Sequence, residues 1–179
     1  MRKALFFLGI LNDSDLDWMI AQGTKKDIPA GSILIHEGRP LDSVFIILDG
    51  RLAVSTSSVV GKDIASLMCG EIVGEMSFLD SRPPSASVRA VEKCSVLAIS
   101  KKRLSDKLEN DSAFAARFYR ALGVFLSDRL RATVGLLGYG KGQKLDDKEF
   151  ADEIDPETLD KVALAGARFD WLQRKLQSI

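Results

Sequence analysis

Residues 72–90 read IVGEMSFLDSRPPSASVRA, and this stretch is the most informative part of the chain. An apolar strand ends at Gly74, a short helical turn follows, and a proline-rich corner leads into another strand. The first turn of such a helix leaves backbone N–H groups unpaired, which suits a phosphate. Gly74 permits close approach by a ligand, Glu75 can accept hydrogen bonds from sugar hydroxyls, and Arg82 presents a planar fork of donors. The segment therefore predicts a site for a small anionic ligand.

Short apolar runs rich in branched residues extend on both sides of this segment, from about Lys25 to Ser100. Turn signals separate them, and Asp49-Gly50 between two apolar runs is a strong hairpin signal. Seven or eight short strands at this spacing predict a closed, barrel-like or jelly-roll architecture. The runs are residues 33–35, 44–48, 52–54, 59–60, 64–68, 72–73 and 87–99.

Helices are predicted on both sides of the strand region. Asn12 or Asp13 can cap a short N-terminal helix. A long helix is predicted from about Asp111 to Leu137, and its apolar stripe is too wide to be buried on the strands alone, so a partner helix is expected. That stripe comprises Phe114, Phe118, Leu122, Phe125, Leu126, Leu130, Val134 and Leu137. The domain prediction is residues 1–137 as one unit and residues 138–179 as an acidic linker with a helical tail.

Composition excludes several function classes. The chain has 179 residues, balanced charge and one histidine, so a metal centre built from imidazoles is excluded within a single chain. Its two cysteines are predicted to be reduced thiols. The apolar start is too short for a bilayer crossing and lacks a small-residue cleavage site, so no membrane association and a cytoplasmic location are predicted. No nucleophile elbow or phosphate loop is present, and the protein is not expected to be an enzyme.

The segment 72–90 resembles the phosphate-binding cassette of the cyclic-nucleotide-binding domains, the family of the bacterial catabolite activator and the regulatory subunits of protein kinase A. Three other parts of the chain agree with it. FLGIL at 7–11 resembles the family's opening, and GSILIHEG at 31–38 with VFIILDG at 44–50 resembles its first strands. The long helix after about Asp111 resembles the family's dimerising helix. The resemblance covers roughly residues 7–137.

This resemblance implies an α+β fold: an eight-stranded antiparallel β-roll, jelly-roll-like, with a short N-terminal helix and a long C-terminal dimerisation helix. It implies cAMP or cGMP as the ligand, with no required cofactor or metal. By position, Gly74 lets the ribose approach and Glu75 receives the ribose 2′-hydroxyl. The remaining positions are backbone donors at Met76 and Ser77, neighbours of the phosphate at Ser85 and Ala86, and a neighbour of the base at Ser87 or on the long helix.

One position departs from the family pattern. The family's phosphate arginine sits nine residues after its glutamate, where this chain has Pro84, which carries neither charge nor backbone donor. Arg82, two positions earlier, is the candidate replacement. Losing a charge-assisted bidentate contact costs about 2–3 kcal/mol, or roughly 30- to 150-fold in affinity. The sequence therefore leaves open both a regulatory nucleotide-binding module and a degenerate roll that serves dimerisation or protein interaction.

A transcription regulator with a reduced tail is the third alternative. Residues 141–179 contain nine acidic and seven basic side chains, whereas a groove-reading domain should be basic, so DNA binding is not expected. The partners predicted instead are a second copy through the long helix and a protein that contacts the C-terminal helix. The long-helix arginines are interpreted as a solvated face: Arg117, Arg120, Arg129 and Arg131.

Overall fold

The computed structural model describes residues 7–59, 61–136 and 156–177. A helical turn at residues 7–10, called the N-terminal turn below, precedes the regular elements. The helices are α1 (Asp13–Gln22), α2 (Glu75–Leu79), α3 (Lys101–Asn110), α4 (Ser112–Leu136) and α5 (Pro156–Gln177). The strands are β1 (Thr24–Ile28), β2 (Ile33–Ile35), β3 (Ser43–Asp49), β4 (Leu52–Ser55), β5 (Ala65–Leu67), β6 (Ile72–Val73), β7 (Ser87–Ala90) and β8 (Cys94–Ser100).

The eight strands form two antiparallel four-stranded sheets, in the orders β1-β8-β3-β6 and β2-β7-β4-β5. This arrangement confirms the predicted β-roll with helices at both ends. Two details of the prediction were wrong. The strand Thr24–Ile28 was not among the predicted runs, and Val59 lies in an irregular segment between β4 and β5 rather than in a strand. Val60, the predicted end of the long helix and the predicted boundary at residues 137–138 lie outside the described residues.

Strand β3 is buried on both faces and separates two hydrophobic cores. Alternate side chains of a strand point to opposite faces. Phe45 and Ile47 therefore pack between the two sheets, while Val44, Ile46 and Leu48 pack against the helices. This explains why the run VFIIL carries no polar residue.

The N-terminal helix begins as the sequence predicts. The Asn12 side chain accepts a hydrogen bond from the backbone N–H of Asp15, and the Asp15 carboxylate accepts one from the backbone N–H of Asn12. This reciprocal pair is a capping box. Asp15 is only 3% exposed, and Arg117 of α4 donates two hydrogen bonds to it, at 2.7 and 2.8 Å. The interpretation of Arg117 as part of a solvated face was therefore wrong, because its guanidinium joins α4 to α1.

The two long helices differ in how they pack. The first half of α4 is buried through Phe114, Phe118 and Phe125, but Leu130 farther along is 65% exposed. Helix α5 packs on the roll of its own chain, where Leu172 and Leu176 are buried in the helical core. Among the helices of the described residues, none combines the length and apolar composition needed to cross a bilayer.

Candidate functional site

The site is entered at Gly74, between the two-residue strand β6 and the five-residue helix α2. Gly74 has φ +86°, in the left-handed region that side-chain-bearing residues rarely adopt. A Cβ atom at this position would lie 2.8 Å from Cδ2 of Leu41 and 3.2 Å from the carbonyl oxygen of Ser43. The conformation therefore favours glycine here, and a Cβ atom would also need Leu41 and the Ser43 carbonyl group to shift.

A cavity of about 90 Å³ lies behind this turn, between the two sheets. Its walls are apolar side chains from both sheets: Ile35, Val54, Leu67, Val73 and Val88. Its mouth is formed by the cassette and by one residue of α4, Arg129. Ligand sites usually enclose roughly 300–1,000 Å³, so a nucleotide would need this cavity to widen.

The cavity brings together six of the eight predicted site residues. They are Gly74, Glu75, Met76, Ser77, Ser85 and Ala86, and Pro84 lines the cavity with them. Ser77 is buried, Met76 is 53% exposed at the rim, and Ala86 is half-buried. The roles that the resemblance assigns to these residues remain predictions.

Arg82 and Ser87 do not line the cavity. The Arg82 side chain is 84% exposed, and its Nε lies 3.9 Å from the Asp80 carboxylate. The Ser87 hydroxyl accepts a hydrogen bond from the backbone N–H of Glu37 at 3.0 Å. Ser87 lines a separate open groove of about 560 Å³ on the outside of the roll, together with Glu37 and Arg89.

The side chain of Glu75 is buried and paired. It is 2% exposed, and its Oε1 accepts a hydrogen bond from Nη1 of Arg129 at 2.5 Å. Nη2 of Arg129 also lies 3.7 Å from the Glu71 carboxylate. Burial raises the pKa of Glu75 above its ordinary value, and the nearby Glu71 charge acts in the same direction, whereas the Arg129 charge lowers it without reversing the shift.

Arg129 is the residue that the sequence analysis missed. Its guanidinium stacks 4.6 Å from the centre of the Phe125 ring and is 32% exposed, so the solvated-face interpretation was wrong for it as well. One signal was available, since Arg129 follows Phe125 by four positions and Phe118 by eleven. That spacing puts it beside the buried face of α4.

The charge balance of the cavity differs from that of an open anion site. Among the cavity's lining residues in the described chain, Arg129 is the cationic one, and it already faces two carboxylates. Position 84 supplies no charge, because it is proline. The mouth of the cavity therefore carries no spare positive charge in this arrangement.

Comparisons with known proteins identify one family model that matches the β-roll. Residues 25–111 match the family model of the cyclic nucleotide-binding domain. The chain is 28% identical over 129 residues to the cAMP-activated global transcriptional regulator CRP of Escherichia coli, covering 70% of this chain and 60% of that protein. It is also 28% identical over 120 residues to an uncharacterized NTE family protein of Mycobacterium bovis, covering 66% of this chain and 20% of that protein. The chain thus spans less than two thirds of either relative.

The fold is shared with solved structures. A cyclic nucleotide-binding domain from Methylobacillus flagellatus superposes with a TM-score of 0.67 at 24% identity, covering 74% of this chain and 79% of that one. The match of residues 25–111 includes the cassette, both sheets apart from Thr24, and every residue that lines the cavity except Arg129. Residues 25–111 of this chain therefore match the cyclic nucleotide-binding domain family, and the β-roll that they form is a domain of that type.

Proposed function

We propose that this chain is a regulatory module that binds a cyclic nucleotide, cAMP or cGMP, and relays binding through α4 to a partner. The observation that carries the proposal is the pair between Glu75 of the cassette and Arg129 of α4. By resemblance, the Glu75 carboxylate is the group that receives the ribose hydroxyl. In the structure, the long helix already holds that carboxylate.

Competition for one carboxylate connects binding to movement of the helix. A ribose hydroxyl that donates to Oε1 of Glu75 requires Arg129 to give up or share its 2.5 Å hydrogen bond with that oxygen. Arg129 is fixed to α4, so its displacement favours a different position of that helix. A ligand shifts a conformational equilibrium only through such a difference in interaction between two states. The proposed relay therefore needs no contact beyond those that surround Glu75.

Calorimetric titration with cAMP and with cGMP tests the proposal. We expect weak binding by the wild type, because the phosphate meets Pro84 instead of an arginine. Glu75→Gln should weaken it further by roughly 10- to 150-fold, since a charge-assisted hydrogen bond is lost. Glu71→Gln is the matched control, because Glu71 also faces Arg129 but does not line the cavity.

The same titration decides the predicted role of Arg82. If Arg82 swings in to meet the phosphate, Arg82→Ala weakens binding, whereas equal affinity of variant and wild type removes Arg82 from the site. Binding that is unaffected by Glu75→Gln would contradict the proposal itself.

A degenerate roll that serves protein interaction is the second candidate. It is favoured by Pro84, by the outward position of Arg82 and by the saturation of Arg129 with two carboxylates. In that case the Glu75–Arg129 pair only fastens α4 to the roll. Absence of binding heat and of ligand-induced thermal stabilisation with both nucleotides, in protein shown to be folded, would select this function.

A homodimer through α4 is part of the proposal. Tyr119, Leu130 and Val134 are exposed, and their spacing places them with Gly123 on one side of the helix, away from the buried phenylalanines. A Cβ atom added to Gly123 would meet nothing within 4 Å, so a second backbone can approach closely there. This apolar stripe suits a second α4.

Leu130→Glu should raise the dissociation constant of this dimer by at least about tenfold, because the interface would bury an unpaired charge. Sedimentation equilibrium over a range of concentrations measures the change. Val124→Glu is the control, since Val124 is 38% exposed on the same helix but outside the stripe. A monomeric wild type, or equal weakening by both variants, would refute the α4 interface.

Catalysis, cellular location and DNA binding are the remaining parts of the functional prediction. The match is to a nucleotide-binding domain family, which supports a regulatory rather than a catalytic role. Cys69 and Cys94 are both free thiols, as expected in a reducing compartment, and a cytoplasmic location remains a prediction. The CRP relative is a transcriptional regulator, but this chain spans 60% of it, and DNA binding is not part of the proposal.

A further inference from the structure

Arg168 of α5 forms hydrogen bonds with the carbonyl groups at the end of the N-terminal turn. Its Nη1 donates to the carbonyl oxygen of Leu11 at 2.5 Å and lies within 3.4 Å of the carbonyl oxygens of Leu8 and Gly9. Its Nε donates to the Asp13 carboxylate at 2.8 Å. The last carbonyl groups of a helical turn lack partners within the turn. Arg168 supplies them from a helix more than 150 positions away, and its side chain is only 14% exposed.

The other contacts of α5 include few fully buried side chains. Between residues 164 and 176 these are Ala165, Leu172 and Leu176, while Phe169 and Trp171 pack against the helical core and remain partly exposed. Gln173 also donates a hydrogen bond to the carbonyl oxygen of Leu48. The ion pair between Lys175 and Asp17 is about half exposed on both sides, and such pairs contribute little. Helix α4, in contrast, buries three phenylalanines. Segments held by few buried contacts open most easily, so α5 is a candidate for release without unfolding of the roll.

Edge-to-face contacts between aromatic rings join the cassette to the N-terminal turn, whose carbonyl groups Arg168 binds. Phe78 of α2 lies three residues after Glu75, and its ring centre is 6.1 Å from that of Phe118 of α4. Phe118 also contacts Phe7, the first residue of the N-terminal turn, with ring centres 5.7 Å apart. Both contacts are edge-to-face. A shift of α2 or α4 therefore acts directly on the residue that precedes the Leu8 carbonyl group.

We infer that α5 is a releasable latch whose docking is controlled by the cassette, through the path Phe78, Phe118, Phe7 and the carbonyl groups held by Arg168. Loss of the Glu75–Arg129 pair frees α2 and α4 to move against each other. The Phe78–Phe118–Phe7 stack carries that movement into the N-terminal turn. The turn then presents its carbonyl groups to Arg168 in a poorer geometry, and α5 detaches more often. The output of the domain is thus the docked or released state of its own tail helix.

Hydrogen–deuterium exchange of the full chain tests this inference without any nucleotide. The trigger is the double variant Glu75→Ala/Arg129→Ala, which removes both partners, so that the buried Glu75 carboxylate is not left unpaired. We expect exchange in residues 164–176 to rise roughly 10-fold or more, while β3 and β8 keep their protection. Arg168→Ala should produce the same rise in α5 by removing the grip itself. Arg120→Ala, at an exposed position of α4, should leave α5 unchanged.

The path is tested by adding Phe78→Ala to the double variant. If the aromatic contacts transmit the effect of the double variant, adding Phe78→Ala should lower exchange in α5 towards the level seen with Phe78→Ala alone. Should the double variant also lose protection in β3 and β8, Arg129→Lys replaces it as a milder trigger and must still raise exchange in α5. If Arg168→Ala leaves the exchange protection of α5 unchanged, the latch is overturned. If Arg168→Ala raises exchange in α5 but neither the double variant nor Arg129→Lys does so, control of the latch by the cassette is overturned. Failure of nucleotide binding in calorimetry alters none of these outcomes.

Discussion

Phe118→Ala should lower the free energy of unfolding by about 3–5 kcal/mol, the usual cost of truncating a fully buried phenylalanine. Phe118 has no exposed surface, and its ring contacts those of Phe7, Phe78 and Phe114 at centroid distances of 5.6–6.1 Å. Two other elements, the N-terminal turn and α2, therefore face the cavity that alanine would leave, together with Phe114 of α4 itself. Urea unfolding followed by far-ultraviolet circular dichroism measures the loss.

Val124→Ala is the control for this substitution. Val124 lies on the same helix, outside the buried face, with 38% of its surface exposed. Its truncation should change the free energy of unfolding by no more than about 0.5 kcal/mol. A loss below about 1 kcal/mol for Phe118→Ala would mean that the helical layer relaxes around the cavity. Phe118 would then not be the centre of this core.

The strands that the sequence predicts are those whose side chains enter a core. VFIIL at 44–48 is apolar throughout because β3 faces two cores, and its position was predicted correctly. β1, with the sequence TKKDI, was not predicted, because four of its five residues are exposed. Among the described strands it lies at the edge of its sheet and pairs with β8 alone, so backbone hydrogen bonds rather than burial define it. Such a strand leaves no alternating pattern in the sequence.

Some residues of the candidate site were likewise predictable from the sequence, and one was not. Gly74 and Glu75 were predicted because local conformation and spacing identify them within one segment. Arg129 was not, because its partner lies 54 positions away and an arginine on a helix is usually solvated. Helix periodicity places Arg129 next to Phe125, but it does not identify the residue of another element that Arg129 contacts. The pairing depends on where α4 crosses the cassette, which is a property of the tertiary structure.

Arg129→Ala is the second substitution for which we expect a large effect, and its size should depend on pH. Breaking a buried ion pair typically costs about 3–5 kcal/mol, because one charge is left uncompensated. Glu75 is 2% exposed but Arg129 is 32% exposed, so we expect a loss smaller than this range, about 2–3 kcal/mol at neutral pH. Urea unfolding of wild type and variant between about pH 5 and about pH 8 measures it.

The pH dependence follows from the raised pKa of Glu75. A carboxyl group whose pKa is higher in the folded than in the unfolded chain binds its proton more tightly in the folded state, so its burial costs stability at high pH and less as pH falls. Removal of Arg129 takes away the charge that lowers this pKa, while burial and Glu71 still raise it. The deficit of Arg129→Ala relative to wild type should therefore shrink as the pH is lowered and Glu75 takes up its proton.

Adding Glu75→Gln to Arg129→Ala removes the titrating group while nearly preserving its shape. The free energy of unfolding of this double variant should no longer change with pH through Glu75. At neutral pH it should exceed that of Arg129→Ala, because position 75 carries no buried charge. An Arg129→Ala deficit that is constant across the pH range would show that its cause is lost packing on Phe125 rather than an uncompensated carboxylate. The buried charge of Glu75 is what a ribose hydroxyl and Arg129 would compete for, so the same titration also measures how strongly the helix holds the proposed binding group.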